Sequence, residues 1–144
     1  RIATVTIGDP AREDVKMGPL VGLKQRGDVL AHVGKLRSEA ELVAGDPDRF
    51  EVLGADAARG AFVPPLLLHC ADPIRAEAVH AIEAFGPVAT LMPYRDLDEA
   101  IVMAIASADE NSDANVRGGA FEKIDAFRQG VLGGLAVCST ITTK

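Results

Sequence analysis

The chain has 144 residues, 48% apolar and 25% charged, with a formal net charge of −6. These proportions suit one globular domain or part of a larger one, and exclude collagen, a coiled coil, a disordered tail and a disulfide-dense mini-protein. The acidic balance argues against a nucleic-acid partner, which needs a basic face, and no apolar run approaches the roughly 20 residues of a membrane span.

Residues 2–7 (IATVTI) are rich in β-branched side chains and predict a strand, closed by the turn Gly8-Asp9-Pro10. Residues 10–22 read as irregular, with Gly18-Pro19 as a second breaker. From Leu23 the period changes. Val29, Val33, Leu36 and Ala40 fall at helical spacing, and Gly45-Asp46-Pro47 stops that helix. Residues 50–53 predict a short strand and 55–60 a loop. Residues 62–69 form an apolar run of strand length whose first half, with Pro64 and Pro65, belongs at an edge or before pairing begins. Residues 72–84 read as helical or irregular, and 88–92 (VATLM) as a strand closed by Pro93.

Asp96 or Asp98 is placed to cap the next helix, with Leu97, Ala100, Ile101, Ala104 and Ile105 on one face. A polar loop follows at 110–119, with a short strand at 114–116, then a helix over 120–129 and a final strand over 132–139. Strands alternating with helices predict an α/β fold, part of an open, mostly parallel sheet with flanking helices. No internal repeat or linker divides residues 1–144, so one domain is the simplest count.

Cys70 and Cys138 stand far apart, which suits reduced thiols in a cytoplasmic protein. Both read as structural, since free cysteines are commonly buried. His69 and Cys70 are neighbours on a strand and point to opposite faces, so they make no catalytic pair. There is no CxxC or HxxxH spacing for a metal, no G-x-S-x-G elbow and no phosphate-binding P-loop. Gly118-Gly119 reads as a plain turn, and Arg26-Gly27-Asp28 as a solvated helix surface. The chain opens on Arg1 without a charged-then-apolar leader and reads as a processed or excised piece.

The segment Glu83-Ala84-Phe85-Gly86-Pro87 is different. It sets a carboxylate, an aromatic ring and a tight turn just before a strand, where loops commonly meet ligands. A carboxylate accepts two hydrogen bonds from a ribose diol, and a phenylalanine ring walls a flat heteroaromatic.

Glu83-x-Phe85-Gly86-Pro87 resembles the E-x-F-G-P motif of aldehyde dehydrogenases. Gly8-Asp9-Pro10 with Met17-Gly18-Pro19-Leu20, Phe62-Val63-Pro64-Pro65-Leu66-Leu67, and Pro93-Tyr94 with Asp98-Glu99-Ala100 resemble further motifs of that family, in its order. The wording of Asp9–Asp14, Val79-His80-Ala81 and Glu83–Pro93 is similar to one branch, the dehydrogenase part of bifunctional ring-opening enzymes of phenylacetate degradation. The resemblance covers residues 1 to about 106 and is looser beyond.

It implies a partial catalytic domain of an enzyme that oxidises an aldehyde, such as a ring-cleaved CoA semialdehyde, with NADP or NAD. It implies that Glu83 holds the nicotinamide ribose hydroxyls and Phe85 packs beside the nicotinamide, with Gly86 and Pro87 shaping the loop. The family's cysteine nucleophile, glutamate base and oxyanion-hole asparagine have no match here, so no catalytic residue is assigned and the chain alone is expected to be inactive. No motif supports His80 as a substrate contact. A homo-oligomer is expected, because part of a sheet exposes an apolar edge and face. Two other readings compete: a non-catalytic binding or oligomerisation module reusing this fold half, and a small independent enzyme using Cys70 or Cys138.

Overall fold

The computed structural model describes residues 2–107 and 135–138. Its regular elements are a 3-10 turn at Ile2–Thr4, then α1 (Leu23–Leu36), β1 (Glu41–Ala44), β2 (Leu66–His69), α2 (Ala78–Ala81), β3 (Val88–Pro93), α3 (Leu97–Ala106) and β4 (Leu135–Cys138). The expected loop at 110–119 and helix at 120–129 lie outside the described residues, whereas β4 falls inside the final strand expected at 132–139.

The four strands lie in the order β1-β2-β3-β4. β1 and β2 are antiparallel, β2 and β3 parallel, β3 and β4 antiparallel. The α/β class with flanking helices holds, but the sheet is mixed rather than mostly parallel. In the parallel pair β2 reaches β3 by way of α2, the long crossover that a parallel return needs.

The residues that face the helices alternate along the strands, as a pleated sheet requires. Leu66 and Leu68 of β2 and Thr90 and Met92 of β3 are buried, while Leu67, His69, Ala89 and Leu91 between them are half-buried. Leu68 and Met92 pack with Leu36, Ala40, Cys70, Val79 and Met103. Leu66 packs with Val29, Val33 and Val63. The stripe of α1 read from the sequence is therefore its buried face.

Several expected elements differ in detail. Residues 2–7 do not form a strand; after the 3-10 turn, only isolated bridges tie Ile7 to Met17 and Gly8 to Leu53. β-branched residues favour strands only where an edge is available to pair with, and here the available partners are single residues. For the same reason the strand expected at 50–53 reduces to the Leu53 bridge. Helix α1 ends at Leu36, and Ala40 is buried from the exit turn, where its N–H donates to the Leu36 carbonyl. Next comes β1, a short strand paired with β2, where the sequence pattern suggested helix up to Gly45. Gly45 (φ +84) closes β1 instead, and a Cβ there would stand 2.2 Å from the Pro65 carbonyl oxygen.

The apolar run over 62–69 divides as its prolines demand. Residues 61–64 are buried but belong to no strand, and the strand begins at Leu66. In α3 the cap is Asp96, whose Oδ1 accepts from the Glu99 N–H at 2.9 Å. Among the described side chains of that helix Ala100 and Met103 are buried; Leu97 and Ala104, expected inside, are exposed, and the Ile105 side chain lies outside the description.

Candidate functional site

The motifs that carry the family resemblance divide by what they do in the fold. Gly8-Asp9-Pro10 is a packing node. Asp9 Oδ1 accepts from the Ala11 N–H at 2.9 Å, and a Cβ on Gly8 would lie 2.1 Å from the Leu53 carbonyl oxygen. Met17-Gly18-Pro19-Leu20 leads into α1, with the Leu20 N–H donating to the Ala61 carbonyl at 2.9 Å. Neither segment presents a free functional group around which to build a site.

The segment Glu83–Pro87 does. It joins α2 to β3 through two tight three-residue turns, with the Gly86 N–H donating to the Ala84 carbonyl at 2.7 Å and the Val88 N–H to the Gly86 carbonyl at 2.8 Å. The Leu66 N–H donates to the Pro87 carbonyl at 2.8 Å, which ties the loop's exit to β2. The opposite side of the loop rests on α1. A Cβ on Gly86 would stand 2.8 Å from a methyl of Val29, so glycine is what lets the loop lie so close. Gln25 Nε2 donates to the Phe85 carbonyl at 2.7 Å.

This seating holds the backbone down and leaves two side chains out. Phe85 is 56% exposed. It lines an open hollow of about 560 Å³ together with Gln25, Asp28, Val29 and His32 of α1. Asp28 is paired there with Lys24 at 2.7 Å. The Glu83 carboxylate is exposed and has no hydrogen-bond or ion-pair partner among the described residues. The two side chains singled out in the sequence stand on one loop, two residues apart, but border different hollows, Glu83 a separate one with Leu36, Val79 and Thr90. The contribution of α1 to this site was not visible in the sequence, because Gln25 lies 60 residues before Phe85 and only the docked helix brings them together.

Cys70, His80 and Arg26-Gly27-Asp28 have structural explanations. Cys70 is 1% exposed and packs in the core, and burial pushes its thiol pKa up. A nucleophilic cysteine needs the opposite shift, toward the thiolate. Cys138 is opposite Thr90 in the β3–β4 register. His80 ties two segments together: one ring nitrogen meets the Ser107 hydroxyl and the other the Pro73 carbonyl, each at 2.7 Å. A carbonyl only accepts, so Nε2 carries a proton and donates to Pro73. Arg26-Gly27-Asp28 lies within α1, with Asp28 in its ion pair and Arg26 Nε donating to the Phe62 carbonyl at 3.1 Å. No helix among the described residues is long and apolar enough to cross a membrane.

The family model for the aldehyde dehydrogenase family matches residues 1–115. Over 105 residues the chain is 46% identical to the 3,4-dehydroadipyl-CoA semialdehyde dehydrogenase of Aromatoleum evansii, covering 72% of this chain and 20% of that protein. Over 92 residues it is 50% identical to Protein MaoC of Klebsiella aerogenes, covering 62% of this chain and 25% of that one. Among solved structures, aldehyde dehydrogenase C from Pseudomonas syringae, complexed with NAD+ and octanal, superposes with a TM-score of 0.60 at 29% identity, covering 73% of this chain and 21% of that one. The chain therefore spans only a fifth to a quarter of the length of these relatives. With the motif order, the α/β fold and these matches in agreement, the chain belongs to the aldehyde dehydrogenase family.

Proposed function

We propose that this chain forms part of the catalytic domain of an NAD(P)-dependent aldehyde dehydrogenase that oxidises a ring-cleaved CoA semialdehyde to its acid, and that Glu83 and Phe85 hold the nicotinamide end of the cofactor. The substrate class is supported by the identity to the Aromatoleum evansii enzyme, whose name specifies a CoA semialdehyde. The cofactor role is carried by one observation: a loop pinned at both sides that nevertheless leaves a carboxylate and an aromatic ring open to solvent.

The donor set fits that group. The free carboxylate of Glu83 accepts from the two hydroxyls of a ribose, and the exposed ring of Phe85 supplies a flat apolar wall for the base. The nicotinamide, when bound, supplies the hydride acceptor. Glu83 and Phe85 orient it, and Gly86 with Pro87 keeps the loop close to α1. Neither cysteine is assigned as nucleophile, so the chain by itself carries out no oxidation. The parent is read as a homo-oligomer.

Titration of the isotope-labelled chain with nicotinamide mononucleotide tests the cofactor role. Amide shifts are expected at residues 83–86 and at Gln25 and His32 around the hollow. Glu83→Gln is expected to weaken binding by about tenfold, the scale of one charge-assisted hydrogen bond. Shifts confined to other parts of the chain, or unaltered by Glu83→Gln, would contradict the assignment.

A further inference from the structure

We infer that Gln25 is a positioning residue for the loop that carries Glu83 and Phe85, setting that loop on α1 for a nicotinamide nucleotide; the purpose, though not the clamp itself, rests on the reading above. The side chain is engaged at both ends. Its Oε1 accepts from the Val21 N–H at 3.1 Å, and its Nε2 donates to the Phe85 carbonyl at 2.7 Å. The assignment of oxygen and nitrogen is not arbitrary. An N–H can only donate and a carbonyl can only accept, so one orientation of the carboxamide satisfies both.

The two ends have different consequences. Val21 precedes α1, whose N-cap Gly22 has no side chain to satisfy the first donors of the helix. The Oε1 contact with the Val21 N–H, one residue before the N-cap, holds the carboxamide in place at the entrance to the helix. The Nε2 contact then acts across 60 residues on the backbone of the residue that carries the exposed ring. Gly86 against Val29 is a second attachment one residue further on, but it is apolar and blocks approach without choosing an orientation. A directional bond to the Phe85 carbonyl does choose one. It fixes the peptide plane from which the ring projects into the hollow that Gln25 also lines.

Two substitutions separate the ends. Gln25→Glu retains an acceptor for the Val21 N–H but places a carboxylate against the Phe85 carbonyl. Gln25→Met retains length and removes both bonds. Amide hydrogen exchange in the full 144-residue chain is the readout, with the amides of β2 as an internal control for global unfolding. In both variants the Gly86 and Val88 amides are expected to exchange about tenfold faster, the scale of one lost hydrogen bond, while β2 is unchanged. Binding of nicotinamide mononucleotide is expected to weaken several-fold in both, although Glu83 and Phe85 are intact. Unchanged exchange in both variants would overturn the clamp, as would loosening in Gln25→Met alone, which would assign the effect to Val21. Equal nucleotide binding by the unmodified chain and Gln25→Glu would overturn the positioning role. No contact between the nucleotide and the unmodified chain would overturn the cofactor reading of Glu83 and Phe85 instead, while the exchange result would still decide the clamp.

Discussion

Glu39 shows how much one side chain can organise without being part of a motif. Its carboxylate accepts from the N–H groups of Glu77, Ala78 and Val79, which are free donors at the start of α2. The bond from Glu77 leads in holding its pKa below the usual 4.5, with the bonds from Val79 and Ala78 and the nearby His80 adding to it against a cost of burial. A carboxyl whose pKa is lowered on folding contributes stability above its unfolded value and loses it as pH falls through the folded value. Glu39→Gln is therefore expected to be less stable than the natural chain at neutral pH, with the gap narrowing below about pH 4.5. Urea midpoints across that range check this, and a gap independent of pH would contradict it. None of this was legible in the sequence, because the contact joins residues 38 to 40 positions apart. Cys70 was legible: an apolar strand context predicts a buried thiol, and the thiol is buried. The motif around Glu83 was legible as a family motif, because it is confined to five consecutive residues.

At the scale of elements, the loop after α2 depends on a helix that begins 60 residues before it in sequence. Gly86→Ala tests that dependence. The new methyl would meet Val29, a stiff β-branched side chain that is 1% exposed and cannot easily give way. A stability loss of about 1–3 kcal/mol is expected, the usual cost of overpacking. Weakened nucleotide binding should accompany it as the loop lifts from α1. Thermal unfolding and the mononucleotide titration measure the two effects, and an undisturbed variant would show that the contact relaxes freely. Helix α1 itself was readable because Val29, Val33 and Leu36 repeat at one period and are all buried. Its end was misplaced because Ala40 continues that period while being buried for another reason, in a turn. Strand β1 escaped notice since four residues at an edge carry little pattern, and only pairing with β2 makes them a strand. Residues 2–7 erred in the other direction, with strand-forming side chains but no strand to join.

At the scale of the whole molecule, alternation of strands and helices was enough to read the α/β class. Strand direction was not readable, because it depends on how each connection returns, and the sequence shows lengths but not paths. The architecture also carries a consequence for association. Val21, Leu23, Val43, Phe85 and Val102 are exposed apolar side chains, and the sheet face bearing Leu67 and Leu91 is only half-buried. Apolar surface left open favours self-association. Light scattering after size exclusion is expected to show an oligomer of the chain, and a clean monomer at high concentration would contradict that expectation.

On the proposed reading this chain supplies the nicotinamide-side loop of an aldehyde dehydrogenase and not its nucleophile. Aldehyde-dependent NAD(P)H formation tests it most directly. The assay compares the bare chain with a graft in which its residues 2–106 replace the matching segment of the Aromatoleum evansii relative. The bare chain is expected to give no turnover, the graft to be active, and Glu83→Gln in the graft to raise KM for the nucleotide. Turnover by the bare chain would contradict the claim and would make Cys70 or Cys138 a working nucleophile; an active graft indifferent to Glu83→Gln would remove the cofactor role from the loop.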